Sequence, residues 1–449
     1  MTGCVSRACA ACPGQLYCLF LLDVQAVAAV DTVAYAACMG DLPLISLAAT
    51  LLLANGHTTE RTTLEVERLA ASLGHQVTMV VRWGEMILRF VAPDGMVHNE
   101  IVPVSPTAID MNKVAATIGV LDDVSARRID AAAALSALQG VARLAPVSLA
   151  RFATLAGAGA AALGVIFGSS HPLTLLLIAI SAAVGGCVRR WLSHISSNAF
   201  VQPLCAALVA GLIGAIATRL HLSSALRLVA VCPCMVLVPG PHLLNGTIDL
   251  VRARVALGAA RLVFASMIIL VICIGLLSGL AMGGESLPVS GPSSSVPFGY
   301  DVLAAGVAVA AYGTFFSMPW SKLPIPIAIG MAAHATRWAA ITLFGASVAT
   351  GALVACLLVG IVVTPIADRL RMPFAAFAFA SVVSLIPGVY LFRMASGLVS
   401  VASLGDQSPP NVLLSAIADG TSAMLIMMAI TIGLIVPKLC IEACYPGRP

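Results

Sequence analysis

From Phe152 to residue 436 the chain is an almost unbroken succession of apolar runs about 20 residues long, joined by short polar connections. A hydrocarbon core of ~30 Å is crossed by ~20 helical residues, so each run has the length of one membrane span. Only 10% of the residues are charged and 60% are hydrophobic, with a mean hydropathy of +1.01. Soluble domains carry about 25% charged residues, and a chain this poor in charge cannot cover a water-facing surface. The sequence therefore specifies an α-helical polytopic membrane protein. The net charge of +4 says little about partners; what matters is where Lys and Arg fall.

The runs give about ten transmembrane helices: 152–168, 172–188, 200–218, 226–247, 257–282, 301–319, 324–343, 347–366, 373–396 and 411–436. Positively charged connections stay on the cytoplasmic side. Arg189, Arg190, Arg252, Arg254, Lys322, Arg369 and Arg371 fall on one side, joined by Lys438 and Arg448 of the tail. The opposite connections, near 169–171, 284–300, 344–346 and 397–410, hold no Lys or Arg, and only Arg219 and Arg227 oppose the assignment. Both termini are expected in the cytoplasm, in a multi-pass protein of the cell inner (plasma) membrane.

Residues 39–148 have a different character and read as a small cytosolic α+β head. Leu42 to Leu53 suggests a helix ended by Asn55-Gly56. Thr62 and Glu65 have capping-box spacing, and Gly74 marks a helix stop. QVTMVVRWGEMILRFV predicts two strands about a turn near Trp83-Gly84, Asp94-Gly95 marks another turn, and 107–145 is helical. His57, Glu60, Glu65 and Glu67 can be imagined as a hydrolase or metal cluster. Glu60, Glu67 and their neighbours fit better as the solvated face of a helix in a structural or regulatory head. Residues 1–38 read as a leader or a misassigned start, because MGDLPLISLAATLLLANG from Met39 looks like a natural beginning.

Five of the thirteen cysteines fall in the first 38 residues and most others lie inside apolar runs. Cys232-Pro-Cys234 is the nearest approach to a motif, and no second pair accompanies it. No metal site, cofactor or nucleic-acid partner is indicated. GxSxG, HExxH, P-loop and GxGxxG patterns in suitable context are missing, which argues against catalysis and ATP-driven transport.

The chain echoes itself. Arg190-Trp191 recurs as Arg337-Trp338 at an offset of 147, ATRL at 217–220 as ADRL at 367–370 at 150, and LVPG at 237–240 as LIPG at 385–388 at 148. Each half then holds five spans. Five is odd, so equivalent spans cross in opposite directions and form an inverted-topology repeat. The domains implied are the leader 1–38, the head 39–148, repeat 1 over 149–283, an external linker 284–300, repeat 2 over 301–437 and a cytosolic tail 438–449.

LVPGPHLLNGTIDL (237–250) and LIPGVYLFRM (385–394) interrupt apolar spans with Pro-Gly. Proline removes a backbone donor and glycine permits unusual dihedrals. A helix so broken exposes N–H and C=O groups that lipid tolerates only in protein or beside a water-filled cavity. Two such breaks approaching from opposite directions make a midplane site for a carboxylate, an ammonium or a cation. Packed proline kinks are the plainer alternative.

These residues resemble a family. NGHTTERTTLEVERLAASLGH, the later helical segment of the head, VPGPHLLNGTIDL within five spans, and a second five-span unit with LIPGVYLF are similar to the threonine/serine exporter family, over roughly residues 42–437. The resemblance implies export of small hydroxy amino acids driven by an ion gradient, with protons as coupling ion. A related two-subunit arrangement splits the halves between chains and is associated with dicarboxylate export.

The candidate substrate-binding residues are Pro239, Gly240, His242, Asn245, Thr247 and Asp249 at the first break, and Pro387, Gly388, Tyr390 and Arg393 at the second. Asn and Thr can hydrogen-bond amino, hydroxyl or carboxylate groups. His242 can gate protons or simply be packed. Asp249 reads as a ligand or as a surface acid balancing Arg252 and Arg254. Arg393 reads as a carboxylate ligand or as the structural partner of Asp419. Asp419, within span ten, is the candidate proton-coupling residue. Aligning LVICIGL with MMAITIGL sets it opposite Arg261. His334 and Arg337 in span seven line the same route, or Arg337 anchors at an interface.

The sequence thus supports a secondary transporter exporting threonine or serine by proton antiport, working in the lipid bilayer, with homo-oligomerisation open. The alternatives are a dicarboxylate (succinate-like) exporter, an intramembrane or head-domain hydrolase, and a non-transporting scaffold.

Overall fold

A computed structural model describes residues 40–91, 97–222, 226–287, 296–370 and 372–444. The leader, the Asp94-Gly95 turn, Arg371 and Arg448 lie outside the described residues.

The head begins with α1 (Gly40–Ala54) and α2 (Thr59–Ser72). A three-stranded antiparallel sheet follows, β1 (Gln76–Arg82), β2 (Gly84–Val91) and β3 (Val97–Val104), in the order β1-β2-β3. Then come α3 (Met111–Ser125) and α4 (Ala131–Ala142). The β1–β2 hairpin turns at Trp83-Gly84 as expected, with Gly84 at φ 92, where a side chain would be strained. Val77, Met79, Met86, Leu88 and Phe90 bury one face of the sheet in a core shared with Leu44, Ile45, Ala48 and Leu53 of α1 and Val66 and Leu69 of α2. The sequence reading has no counterpart to β3. Thr62 is also not a cap: α2 starts at Thr59 with Thr58 as its N-cap residue, and the Thr62 hydroxyl donates to Thr58 O at 2.9 Å. Gly74 closes α2 at φ 85, as the sequence suggested.

The membrane body comprises α5 (Leu149–Ile166), α6 (Pro172–Ile195), α7 (Val201–Arg219), α8 (Leu226–Met235), α9 (Gly240–Val251) and α10 (Val255–Met282). It continues with α11 (Phe298–Phe315), α12 (Pro324–Thr342), α13 (Val348–Leu370), α14 (Phe374–Val382), α15 (Gly388–Leu404) and α16 (Pro410–Cys444). Seven of these helices are long and apolar enough to cross a membrane, or up to nine if each of two bent pairs is one span. Ten expected intervals are helical, but α12 falls outside that count, because two prolines, His334 and Arg337 dilute its apolar length. The expected tail from 438 instead continues α16 to Cys444, with Lys438 buried and paired with Glu442.

The head sits on one end of this body. Met111 N donates to Phe316 O at 2.9 Å, Arg61 pairs with Asp368 at 2.7 Å, and the Trp83 ring lies 5.2 Å from that of Phe264 on α10. Helices α5 and α11 run antiparallel: Arg151, at the head end of α5, donates to Met318 O at 3.0 Å, just beyond α11, and Phe152 stacks on Phe315.

Candidate functional site

Both Pro-Gly sites break their helices. The axis bends by 51° between α8 and α9, and by 65° between α14 with its 3-10 turn (Val383–Leu385) and α15. The breaks face each other reciprocally. Gly240, opening α9, lies so close to the Phe379 ring of α14 that a Cβ there would approach it to 1.5 Å. Gly388, opening α15, lies against Met235 of α8, and a Cβ there would come within 2.8 Å of its Cγ. Each break is thus seated on the helix that leads into the other, which fixes glycine at 240 and leaves little room for a side chain at 388.

Beyond each break lies a charge pair within the body, with its polarity reversed between halves. Asp249 on α9 forms an ion pair with Arg261 on α10, Nε to Oδ2 3.1 Å. Arg393 on α15 pairs with Asp419 on α16, Nε to Oδ2 3.0 Å. Arg261 is fully buried and Asp249 is 1% exposed, so Asp249 is not at the surface, although it does pair with Arg254 at 3.5 Å as the balancing role expected. Arg393 stands one helical turn closer to its break than Asp249 does. Taking a charge out of water costs several kcal/mol, and only a well-placed partner offsets it.

The head completes the first pair. Thr59 Oγ1 donates to Asp249 Oδ2 at 3.1 Å, and Arg261 Nη2 reaches the same hydroxyl at 3.4 Å. Asn245 Nδ2 donates to Gly56 O at 3.2 Å, and Glu60 pairs with Arg252 at 2.9 Å. The α1–α2 turn therefore covers the head end of α9. Glu60 belongs to this contact and not to a solvated face, because the first turn of α2 points into the body. His57, beside it, is buried without a hydrogen bond at either ring nitrogen among the described residues. Burial, then the charges of Arg61 and Lys438, lowers its pKa to about 3.

Two cavities lie in this part of the molecule, one of them against the second break. One, of about 310 Å³, lies between head and body and is lined by Asp110, Lys113, Arg189, Arg190 and Phe315 among others. Burial raises the pKa of Asp110, against the hydrogen bonds it accepts at the start of α3. The other, of about 340 Å³, lies at the far end beside the second break, with Asp301, Arg337, Ser384, Pro387 and Tyr390 in its wall. Behind this wall His334 Nδ1 stands 2.9 Å from Asp301 Oδ2, and both residues are buried.

The candidate residues separate into groups. Pro239, Gly240, Pro387 and Gly388 come together at the facing breaks, and Tyr390 with Pro387 opens onto the far cavity. Arg393 and Asp419 form one ion pair, Asp249 another. His242 is buried with its ring 5.3 Å from Phe264, edge-on, and its Nδ1 has no partner among the described residues. The Thr247 hydroxyl donates to Leu243 O of its own helix at 2.9 Å. Thr59, Asp301 and Arg189 were missed. Asp301 had a signal, an acid at the mouth of an apolar run; Thr59 had none, being 190 residues from its partner.

A threonine/serine exporter family model, ThrE, matches residues 43–283, more than half of the chain. A second threonine/serine exporter model matches residues 301–440. The chain belongs to the threonine/serine exporter family. No curated protein and no solved structure matches it. Membership fits a transmembrane amino-acid transporter acting on a small molecule in a lipid bilayer, and agrees with the resemblance drawn from the head and the two Pro-Gly segments.

Proposed function

We propose that this family member is a secondary exporter of threonine or serine, moving substrate out of the cytoplasm in exchange for protons. In this reading ten spans form two inverted five-span repeats, and the head and both termini lie in the cytoplasm of a cell whose inner membrane holds the protein. The observation that carries it is the reciprocal seating of the two helix breaks, Gly240 on Phe379 and Gly388 on Met235. Facing broken helices at a repeat interface are how many secondary transporters build a midplane site.

Further relations support the repeat. Helices α5 and α11 are antiparallel, the two charge pairs occupy related positions, and the family models divide the chain on either side of residues 284–300. Packing repeats as well: α7 meets Leu276 O of α10 through Gly211, and α13 meets Leu434 O of α16 through Gly360. The acid of either pair can carry a proton, since protonation removes the charge that holds its arginine. The far cavity, with Asp301 and Arg337, suits a zwitterion. A dicarboxylate is the second reading, favoured by Lys113, Arg189 and Arg190 around the head-side cavity.

Proteoliposomes loaded with labelled threonine or labelled succinate, with and without an imposed proton gradient, test this. Gradient-dependent threonine efflux is expected. Succinate efflux alone would replace the substrate and keep the architecture. Movement of neither by correctly inserted protein would overturn both readings.

A further inference from the structure

Each cavity contains one arginine that has neither a hydrogen bond nor an ion pair among the described residues, Arg189 on α6 and Arg337 on α12. Both are half-buried. An intramembrane arginine without a counter-ion is costly and faces a cavity or partner for a reason. Other body arginines near the seam are engaged: Arg151 with Met318 O, Arg190 with Val147 O, Arg252 with Glu60 and Glu442, Arg261 with Asp249, Arg393 with Asp419.

Arg189 and Arg337 are also structural equivalents. Arg190 Nη2 donates to Val147 O at 2.6 Å, just before α5, and Trp338 Nε1 approaches Val296 O at 3.4 Å, just before α11. Arg190 thus stands in the place of Trp338, which puts Arg189 in the place of Arg337. The register is one residue away from the repeated Arg-Trp of the sequence and equals the offset between Gly240 and Gly388. Each arginine borders a break. Arg337 shares its cavity with Pro387 and Tyr390, and Arg189 also lines a recess beside Pro233, Val236 and Leu237, at the end of α8. The Arg189 guanidinium lies 4.4 Å over the Phe315 ring, and both residues line the head-side cavity.

We propose that Arg189 and Arg337 are paired carboxylate ligands, one on each side of the breaks, that take the substrate's carboxylate in turn as access alternates. This rests on the transport reading above. A guanidinium presents two parallel donors that match a carboxylate. Each cavity also has one acid, Asp110 or Asp301, to receive an ammonium group. The ligand class is therefore a small α-amino acid, with its carboxylate on arginine and its ammonium on aspartate. A water occupies ~30 Å³ of liquid, so either cavity has room for a solute of several heavy atoms.

The test compares threonine with threoninol, the amino alcohol that lacks the carboxylate, as competitors of labelled threonine exchange in oriented proteoliposomes. The wild type should prefer threonine. R189Q should weaken threonine at the head face by about tenfold or more with threoninol unchanged, R337Q should do the same at the far face, and R189K and R337K should fall between. An unchanged threonine-to-threoninol ratio in a folded, active variant would overturn the pairing while leaving the transport reading intact. Wild-type protein that moves neither threonine nor succinate would remove the transport reading instead. Should the glutamine variants fail to insert, wild-type protein is treated with phenylglyoxal and its modified arginines mapped by mass spectrometry. Protection of Arg189 and Arg337 by threonine and not by threoninol is expected; equal labelling with and without threonine would overturn the proposal.

Discussion

Thr59 in the head donates its hydroxyl to Asp249 in the membrane body at 3.1 Å, across the seam between them. The same oxygen lies 3.4 Å from Arg261 Nη2, so one small group joins both members of a buried charge pair. A hydroxyl can donate to a carboxylate and accept from a guanidinium at once. The head is therefore part of the intramembrane electrostatics, and not a domain merely tethered to it.

Thr59→Val keeps the shape and removes the hydroxyl. Hydrogen bonds to charged groups contribute ~1.5–3 kcal/mol, and a loss of that order is expected, with Thr59→Ser near wild type. Denaturation of purified protein in detergent measures it. A T59V midpoint equal to wild type would mean that the ion pair is satisfied without the head.

Arg261 is fully buried, so removing either partner strands a charge. R261M alone should cost ~3–5 kcal/mol, whereas the double variant D249L/R261M should cost clearly less than the sum of the single changes. A double-mutant cycle on unfolding midpoints reads the coupling. Additive losses would show that the pair is not a unit.

How far these relations could be read in advance depends on their range. The hairpin was legible because Val77, Met79, Met86, Leu88 and Phe90 alternate about a glycine turn. Strand β3 was not, because its residues are exposed or half-buried until Val104 and Pro103 interrupts it. The breaks were legible from Pro-Gly chemistry, because both segments bend where the Pro-Gly falls. The α2 start was misplaced because Thr58, Thr59, Thr62 and Thr63 offer competing caps within six residues. Contacts such as Asn245 with Gly56 join residues 189 positions apart and leave no local pattern.

Gly240→Ala tests the facing breaks. Its Cβ would enter the Phe379 ring, a rigid group within a buried helix, so Phe379 or the whole of α14 must move. Overpacking costs ~1–3 kcal/mol or more, and export should fall with it. Gly388→Ala meets only the flexible Met235 side chain and should be milder. The pairing is supported if Phe379→Ala restores part of the G240A loss in a thermal unfolding assay; no suppression would place the strain elsewhere.

His57 gives a pH dependence with a definite sign. Its pKa falls from 6.5 to about 3 on folding, first through burial and then through Arg61 and Lys438. Between those values the unfolded chain binds a proton that the folded protein refuses, so its contribution is full above pH 6.5 and is lost as pH falls toward 3. The limiting slope is ~1.4 kcal/mol per pH unit. Melting temperatures from pH 7 to pH 4 should drop more steeply for wild type than for H57Q; parallel curves would rule His57 out as the cause.

Asp419→Asn separates proton coupling from substrate handling. Arg393 lies 3.0 Å from Asp419 Oδ2 and holds it while the carboxyl is charged. If a proton released or taken up there drives the return step, asparagine, which cannot titrate, should abolish gradient-driven threonine flux while exchange of threonine for threonine continues. That exchange should also lose its dependence on pH. Asp249 sits in the other pair but is tied to the head through Thr59, so Asp249→Asn should depress exchange and gradient-driven flux together. The two variants are compared in the same proteoliposome assay, with protein insertion checked by protease accessibility. Equal loss of both activities in D419N would make the Arg393–Asp419 pair a structural clamp and move the search for the coupling acid to Asp301, which lines the far cavity and contacts His334.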